Sequence, residues 1–166
     1  VTASKPPREP QREQVYELLT SNPKVHWSVS IIGHKRIDRI NILRATFEGM
    51  TGAVRGLKCK PGKVLIDGNH VPEQLSDLPT QAVIGGDRSS FAIAAASIIA
   101  KVTRDRLMEK LDKKHPQYGF GKHKGYGTAV HQAALKKHGP CPAHRRSYEP
   151  LKGFLAHGVW GRRAGE

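Results

Sequence analysis

The sequence predicts an α/β fold organised as one layered domain. Short β-branched runs alternate with longer stretches of helical period, the pattern of strands packed against helices. The chain has 166 residues, a length that favours one domain and lets about 68–70% of the unfolded surface be buried. No internal repeat or low-complexity tract interrupts it, and a mean hydropathy of −0.52 with 37% hydrophobic residues fits a polar surface around a real core.

The elements follow in order. Residues 1–13 are polar, with Pro6, Pro7 and Pro10, and predict an extended arm. A short helix is expected over Gln11–Leu19, with Val15, Leu18 and Leu19 as its apolar side, ending before Pro23. The alternation of His26–Ile32 predicts a strand closed by Gly33. From Arg36 to Leu57, apolar residues at 40, 43, 47, 50, 54 and 57 recur at steps of three and four, predicting one long amphipathic helix. Gly49 and Gly52 weaken it and suggest close packing on a sheet. Val64–Ile66 and Ala82–Ile84 predict short buried strands, followed by Asp67-Gly68 and Gly85-Gly86-Asp87. Ser89 or Ser90 caps a helix from Phe91 to about Lys114, whose small apolar first half suggests tight packing on several sides. Pro116 ends it. Residues 117–128 read as irregular. Thr128 caps a helix over Ala129–His138, which Gly139 and Pro140 stop. A basic loop then leads to a final helix from Leu151.

Composition excludes whole classes. The longest apolar-rich stretch, Phe91–Ala100, is half the length a bilayer requires, which is about 20 residues. Cys59 and Cys141 cannot form a disulfide scaffold or a four-ligand zinc site, so a reducing, intracellular setting is the expectation. The net charge is +14 and the pI about 10.1. It is unevenly placed: residues 1–100 hold 13 Lys+Arg and 9 Asp+Glu, and residues 101–166 hold 15 and 5. A basic region of this kind points to a phosphate-rich partner. No basic stretch has a strong apolar face, which argues against a membrane surface. The chain opens on Val1 with no apolar leader, as a processed or partial chain would.

Asp67 and Asp87 each follow a short buried strand and sit beside glycine. Ligands of open α/β sheets collect beyond the carboxyl ends of strands. Two carboxylates meeting there would repel, and a Mg²⁺ or Mn²⁺ ion relieves that conflict with the oxygen ligands it prefers. Asp-Gly after a strand is also an ordinary turn; the shared context of the two acids and the basic surface bring the cation level with the turn, and both stay open. Tyr118, Phe120 and Tyr126 interleave with Lys122, His123, Lys124 and several glycines, a pattern suited to stacking on sugars or bases while lysines meet phosphates. Phe120 is expected to anchor the loop and Tyr126 to act. For His123 and Lys124, phosphate contact and plain solvation are both open. His131 and His138 lie seven apart on one helix, an expected surface placement. Arg145 and Arg146 form a second basic cluster, either solvated or facing the same partner.

Several longer runs carry a resemblance. They are Ile37-Asp38-Arg39-Ile40-Asn41-Ile42-Leu43 with Ala45-Thr46, Val64-Leu65-Ile66-Asp67-Gly68-Asn69, Gly86-Asp87, Ile93 to Asp105, Pro116 to Phe120, His123 to Thr128, and His138 to Ser147. In this order, from about Ser4 to Pro150, the chain resembles type 2 ribonuclease H, the bacterial RNase HII group. The resemblance implies an RNase H-like fold, a mixed central sheet flanked by helices, over residues 1–150, with 151–166 a basic tail or short helix. It implies metal-dependent endonucleolytic cleavage of the RNA strand of RNA–DNA hybrids, including ribonucleotides embedded in DNA, with two Mg²⁺ or Mn²⁺ ions held by four carboxylates. Asp67 and Asp87 match two of the four as catalytic and metal-ligating residues. Tyr126 matches a tyrosine that packs on the sugar at the RNA-to-DNA junction. Lys122, His123, Lys124, Arg145 and Arg146 fall in nucleic-acid-binding segments, and Asp105 is structural.

The family's opening Asp-Glu-Ala-Gly-Arg-Gly motif does not occur in these residues. Ser4-Lys5 resembles a later element, with Ala3 and Pro6 at altered positions, and Gly85 stands where a lysine often precedes Gly-Asp. The expectation is therefore a chain that starts after the family's opening strands. The alternative is an inactive relative that binds RNA or serves a ribonucleoprotein, for example a mitochondrial one such as the ribosome. A bacterial chain would then be cytoplasmic and a eukaryotic one mitochondrial or nuclear.

Overall fold

A computed structural model describes residues 8–158 and 160. The elements are α1 (Glu9–Ser21), α2 (His34–Ile40), α3 (Ile42–Arg55), β1 (Val64–Asp67), β2 (Thr80–Val83), α4 (Gly86–Ser89), α5 (Phe91–Lys114), α6 (Phe120–His123), α7 (Ala129–His138) and α8 (Leu151–His157). The α/β class is as predicted. Among the described residues the sheet is one parallel pair, β1 with β2, in the register Val64↔Thr80 to Asp67↔Val83.

The chain gathers into two compact units. One runs up to Ile31 and continues with Phe47–Thr103; the other combines Ile32–Thr46 with Arg104 onward. In the first unit, β1 buries Val64 and Ile66 and turns Leu65 and Asp67 outward, the two-residue alternation of a strand. The 68–79 crossover needed between parallel strands tucks Leu75 and Leu78 beneath the sheet, where Met50 and Val54 of α3 complete the cluster. Leu75 is fully buried, worth about 1.5–3 kcal/mol for a side chain of this kind. Arg55 fastens the crossover to α3, donating to the Asp77 carboxylate and, at 2.9 Å, to the Gln74 carbonyl.

The second unit is built on Tyr118, Phe120, Leu135 and Leu151, with Leu111, Ala134, Cys141 and Phe154 packed around them. The Tyr118 hydroxyl donates to the Gly139 carbonyl at 2.7 Å, and its ring stacks on Phe120. Phe120 is the core anchor expected of it. Thr128 caps α7 by accepting from the His131 amide at 3.3 Å, and Gly139 closes the helix with φ 70°.

Several expectations are corrected. The predicted arm over 1–13 lies outside the described residues for 1–7, and α1 already begins at Glu9, where the Arg8 amide donates to the Gln11 side chain. Leu18, placed on the apolar side, is exposed. His26–Ile32 is extended but pairs with no strand among the described residues. It runs instead beside α3: a Cβ on Gly52 would lie 2.5 Å from the Ser30 Oγ, and one on Gly56 would lie 2.3 Å from the Ser28 Oγ. Gly52 within α3 and Gly56 just beyond its end thus receive Ser30 and Ser28, not a sheet.

The long helix of 36–57 is two helices. Asn41 separates them with φ 67° and ψ 171°, its amide closing α2 on Ile37 and its side chain accepting from the Arg44 amide at the start of α3. The second strand is Thr80–Val83, leaving Ile84 outside and exposed. In α5 the buried residues are Ile93, Ile99, Val102 and Asp105; Phe91 is 83% exposed. Residues 117–128 contain a further short helix, α6.

Candidate active site and nucleic-acid interface

Asp67 is the last residue of β1, and Gly68 turns the chain away with φ 115°. Its carboxylate is exposed, and Oδ1 accepts from the Gly86 amide at 2.9 Å. Gly85, at φ 64°, caps α4 in the left-handed region that favours glycine. Gly86 is buried, and a Cβ there would lie 2.4 Å from the Ile93 Cδ1 and 3.4 Å from the Asp67 Oδ1. The glycine makes room for the Ile93 side chain, while the carboxylate lies at ordinary contact distance from that position. Asp87 follows immediately, in the first turn of α4 instead of at a strand end as predicted, with its side chain half exposed. The Arg88 guanidinium stands 3.9 Å from it, a loose pairing.

These are hard oxygen donors twenty residues apart in sequence, with the Asp67 carboxylate bonded to the residue before Asp87. Among the described residues no group of three or more His, Cys, Asp or Glu side chains forms a metal cage. The pair suits Mg²⁺, which commonly takes one or two carboxylates and completes its shell with water and substrate phosphate. It does not suit an all-protein site.

The candidate nucleic-acid residues lie in the second unit. Tyr126 is 62% exposed, and its amide donates to the His123 carbonyl at 2.9 Å. Lys122 is exposed at the end of α6. Lys124 adopts φ 50° and is mostly covered, its ammonium 2.8 Å from Glu109 and its carbonyl accepting from Arg104. His123 is half-buried, with Nε2 on the Tyr118 carbonyl at 2.7 Å and Nδ1 accepting from the Gly125 amide at 3.1 Å. Both of its ring nitrogens thus serve the loop. Arg145 stacks over Tyr148 at 3.8 Å, and Arg146 is exposed. Asp38 holds their loop: its carboxylate accepts from the Arg146 amide at 2.9 Å, the Ser147 amide at 2.9 Å and the Ser147 hydroxyl at 2.5 Å. Desolvation alone would raise the Asp38 pKa, but these donors outweigh it and hold the carboxyl below its usual 3.8.

Sequence reasoning missed two arrangements. The first is the Asp38 clamp, whose partners are more than 100 residues away. The second corrects the expected surface placement of His131. It is half-buried, stacks on His123 at 4.3 Å, and its Nε2 lies 3.2 Å from the Nε2 of His144. Only the density of histidines near glycine hinted at it.

Comparison with known proteins identifies the family. The profile of the family described as Ribonuclease HII matches residues 1–150. The chain belongs to the ribonuclease HII family. It is 53% identical over 142 residues to Ribonuclease HII of Xanthomonas axonopodis pv. citri, covering 86% of this chain and 57% of that protein. It is 50% identical over 149 residues to Ribonuclease HII of Chlamydia trachomatis serovar L2, covering 90% and 67%. The chain therefore spans about 57–67% of the length of these relatives. Among solved structures it is similar to the ribonuclease H2 from Pyrococcus horikoshii OT3, with a TM-score of 0.72 and 25% identity over 90% of this chain and 77% of that one. The RNase HII fold predicted from the motifs is thereby established. No helix among the described residues is long and apolar enough to cross a membrane.

Proposed function

We propose that this chain supplies part of the active site and much of the nucleic-acid grip of a metal-dependent endonuclease. Its substrates are the RNA strand of RNA–DNA hybrids and ribonucleotides embedded in DNA. The observation that carries the reading is the Asp67–Gly86 hydrogen bond, which sets one carboxylate against the chain one residue before the second, in a chain of the ribonuclease HII family.

In this reading Asp67 and Asp87 hold Mg²⁺ or Mn²⁺, and the ion neutralises charge that develops on the scissile phosphate. The Gly86 amide orients Asp67 by occupying Oδ1, leaving its other oxygen for the cation. Tyr126 offers an exposed ring to a sugar or base, and Lys122 and Arg146 meet phosphates. Lys124 and His123 act chiefly by shaping the Tyr126 loop. Residues 1–150 match the family domain, and α8 beyond them adds Leu151 and Phe154 to the core of the second unit. An intracellular setting, cytoplasmic if the protein is bacterial, belongs to the same reading.

The decisive experiment uses the intact protein that carries this chain. Asp67→Asn retains an oxygen for the Gly86 amide and removes only charge. Cleavage of a duplex with one embedded ribonucleotide should fall at least about 100-fold, the scale of losing an electrostatic group at the reacting centre. Stability should stay within about 0.5 kcal/mol, as for most surface substitutions. Undiminished cleavage would overturn the assignment. A second reading, an inactive RNA- or ribonucleoprotein-binding relative, draws on there being two carboxylates and no three-ligand cage among the described residues. It predicts tight binding with no cleavage by the intact protein under any Mg²⁺ or Mn²⁺ condition.

A further inference from the structure

His123, His131 and His144 come from α6, α7 and the loop after α7 and gather around Phe120, with ring centroids 5.8, 5.5 and 5.4 Å from it. Their hydrogen bonds assign every proton. The Cys141 amide donates to the Nδ1 of His144 at 3.0 Å, while the Cys141 carbonyl is the poorer partner at 3.4 Å. His144 therefore carries its proton on Nε2. That proton is directed at the Nε2 of His131, 3.2 Å away. His131 must then be protonated on Nδ1, and that N–H donates to the Tyr126 carbonyl at 2.9 Å. The result is a one-way chain from the Cys141 amide through His144 and His131 to the main chain of Tyr126. A neutral imidazole has one donor and one acceptor, and here both rings use both.

An additional proton is poorly accommodated. Protonating His131 would aim two N–H groups at each other across 3.2 Å; protonating His144 would set its Nδ1–H against the Cys141 amide, with only the Cys141 carbonyl at 3.4 Å as a weak acceptor. The titratable groups facing the pair are His115, His123, Tyr118 and Cys141. The two histidines repel added charge. Burial, then the neighbouring His131, holds His144 down at about 4 from the ordinary 6.5. Burial also lowers His131, against the pull of the Tyr126 carbonyl and with the help of His123.

We propose that His131 and His144 are positioning residues for Tyr126, forming a latch that is closed while both imidazoles are neutral and released by protonation. The functional consequence rests on the reading above that the Tyr126 ring meets nucleic acid; the latch itself does not. An opened loop regains ordinary histidines and binds protons more readily than the closed one. Acid therefore favours opening from about pH 6.5 downward, and the effect saturates below about pH 4. The direction is diagnostic. Positive charge added by acid would by itself strengthen binding to a polyanion as pH falls; the latch removes the Tyr126 contribution over the same interval.

Two measurements test it. In the first, amide hydrogen exchange is followed from about pH 7 to about pH 4 and corrected for intrinsic rates, with α7 amides as internal reference. Protection at Gly125, Tyr126 and Thr128 should fall by up to about tenfold per pH unit between 6.5 and 4, while α7 stays protected. His131→Asn, whose amide can still donate to the Tyr126 carbonyl without titrating, should flatten that dependence. An unchanged loop, a loss shared equally by α7, or a His131→Asn profile identical to wild type would each overturn the latch. The second measurement compares wild type and Tyr126→Ala for affinity to an RNA–DNA hybrid in EDTA. The gap between them should be widest near pH 7.5 and close by about pH 4.5. A gap that is constant with pH overturns the coupling. No gap at any pH refutes the nucleic-acid role of Tyr126 while leaving the exchange result to decide the latch.

Discussion

Asp38 organises a loop that holds two candidate contacts of the nucleic acid. Its carboxylate gathers three donors from Arg146 and Ser147, so the order of the Arg145–Arg146 segment depends on a residue that carries no chemistry itself. Because those donors keep its pKa below 3.8, the contribution is complete above that value and is lost as pH falls through the lower folded value. Asp38→Asn retains one acceptor oxygen and turns an N–H toward the remaining donor. Urea unfolding near pH 7 should show a loss of about 1 kcal/mol, the scale of a partly exposed charge-assisted hydrogen bond. The difference from wild type should shrink as pH falls through the folded value below 3.8, where the native carboxyl is itself protonated. Equal losses at both pH values would assign the effect to packing.

Asn41 governs the element scale. It ends α2 and starts α3 at once, in a backbone region that only glycine enters without cost. Asn41→Ala should destabilise by about 2 kcal/mol, combining strain with a lost cap. Asn41→Gly should cost at most a few tenths of a kcal/mol, since relief of strain offsets the lost cap; thermal and urea unfolding of the pair provide the check. The same residue shows why part of the fold was unreadable. The apolar period runs through Asn41 in phase, so a rule that counts hydrophobic steps sees one helix, and only the side chain's double role reveals two. Elements fixed by local signals were legible: the Thr128 cap, the Gly139 stop, the Ser90–Phe91 start of α5, and β1, read as Val64–Ile66 and found one residue longer. The extended segment 26–32 was not, because whether an alternating run becomes a strand depends on a partner elsewhere in the chain. The candidate site divides the same way. Asp67 was marked by its strand-end context, whereas the Gly86 hydrogen bond and the three-histidine cluster join residues that no spacing connects.

For the molecule as a whole, the net charge of +14 dominates encounters with any polyanion. Binding to an RNA–DNA hybrid should weaken steeply with salt, because each neutralised phosphate releases condensed counterions. Lys122→Ala and Arg146→Ala should each reduce the slope of log affinity against log salt by about one. Lys124→Ala should reduce it less, since its ammonium already pairs with Glu109. Equal slopes for all three variants would move the contact surface elsewhere. The same charge bears on the two-stranded sheet. Each strand has only one hydrogen-bonded neighbour among the described residues, so the outer main-chain groups form a short open seam, the kind along which copies of a chain join. Four-residue strands limit that seam, and mutual repulsion keeps copies apart. Ionic strength thus acts twice on one sample: the conditions that pry the chain from its polyanion also remove the repulsion that prevents clumping, so a usable buffer occupies a narrow band between the two.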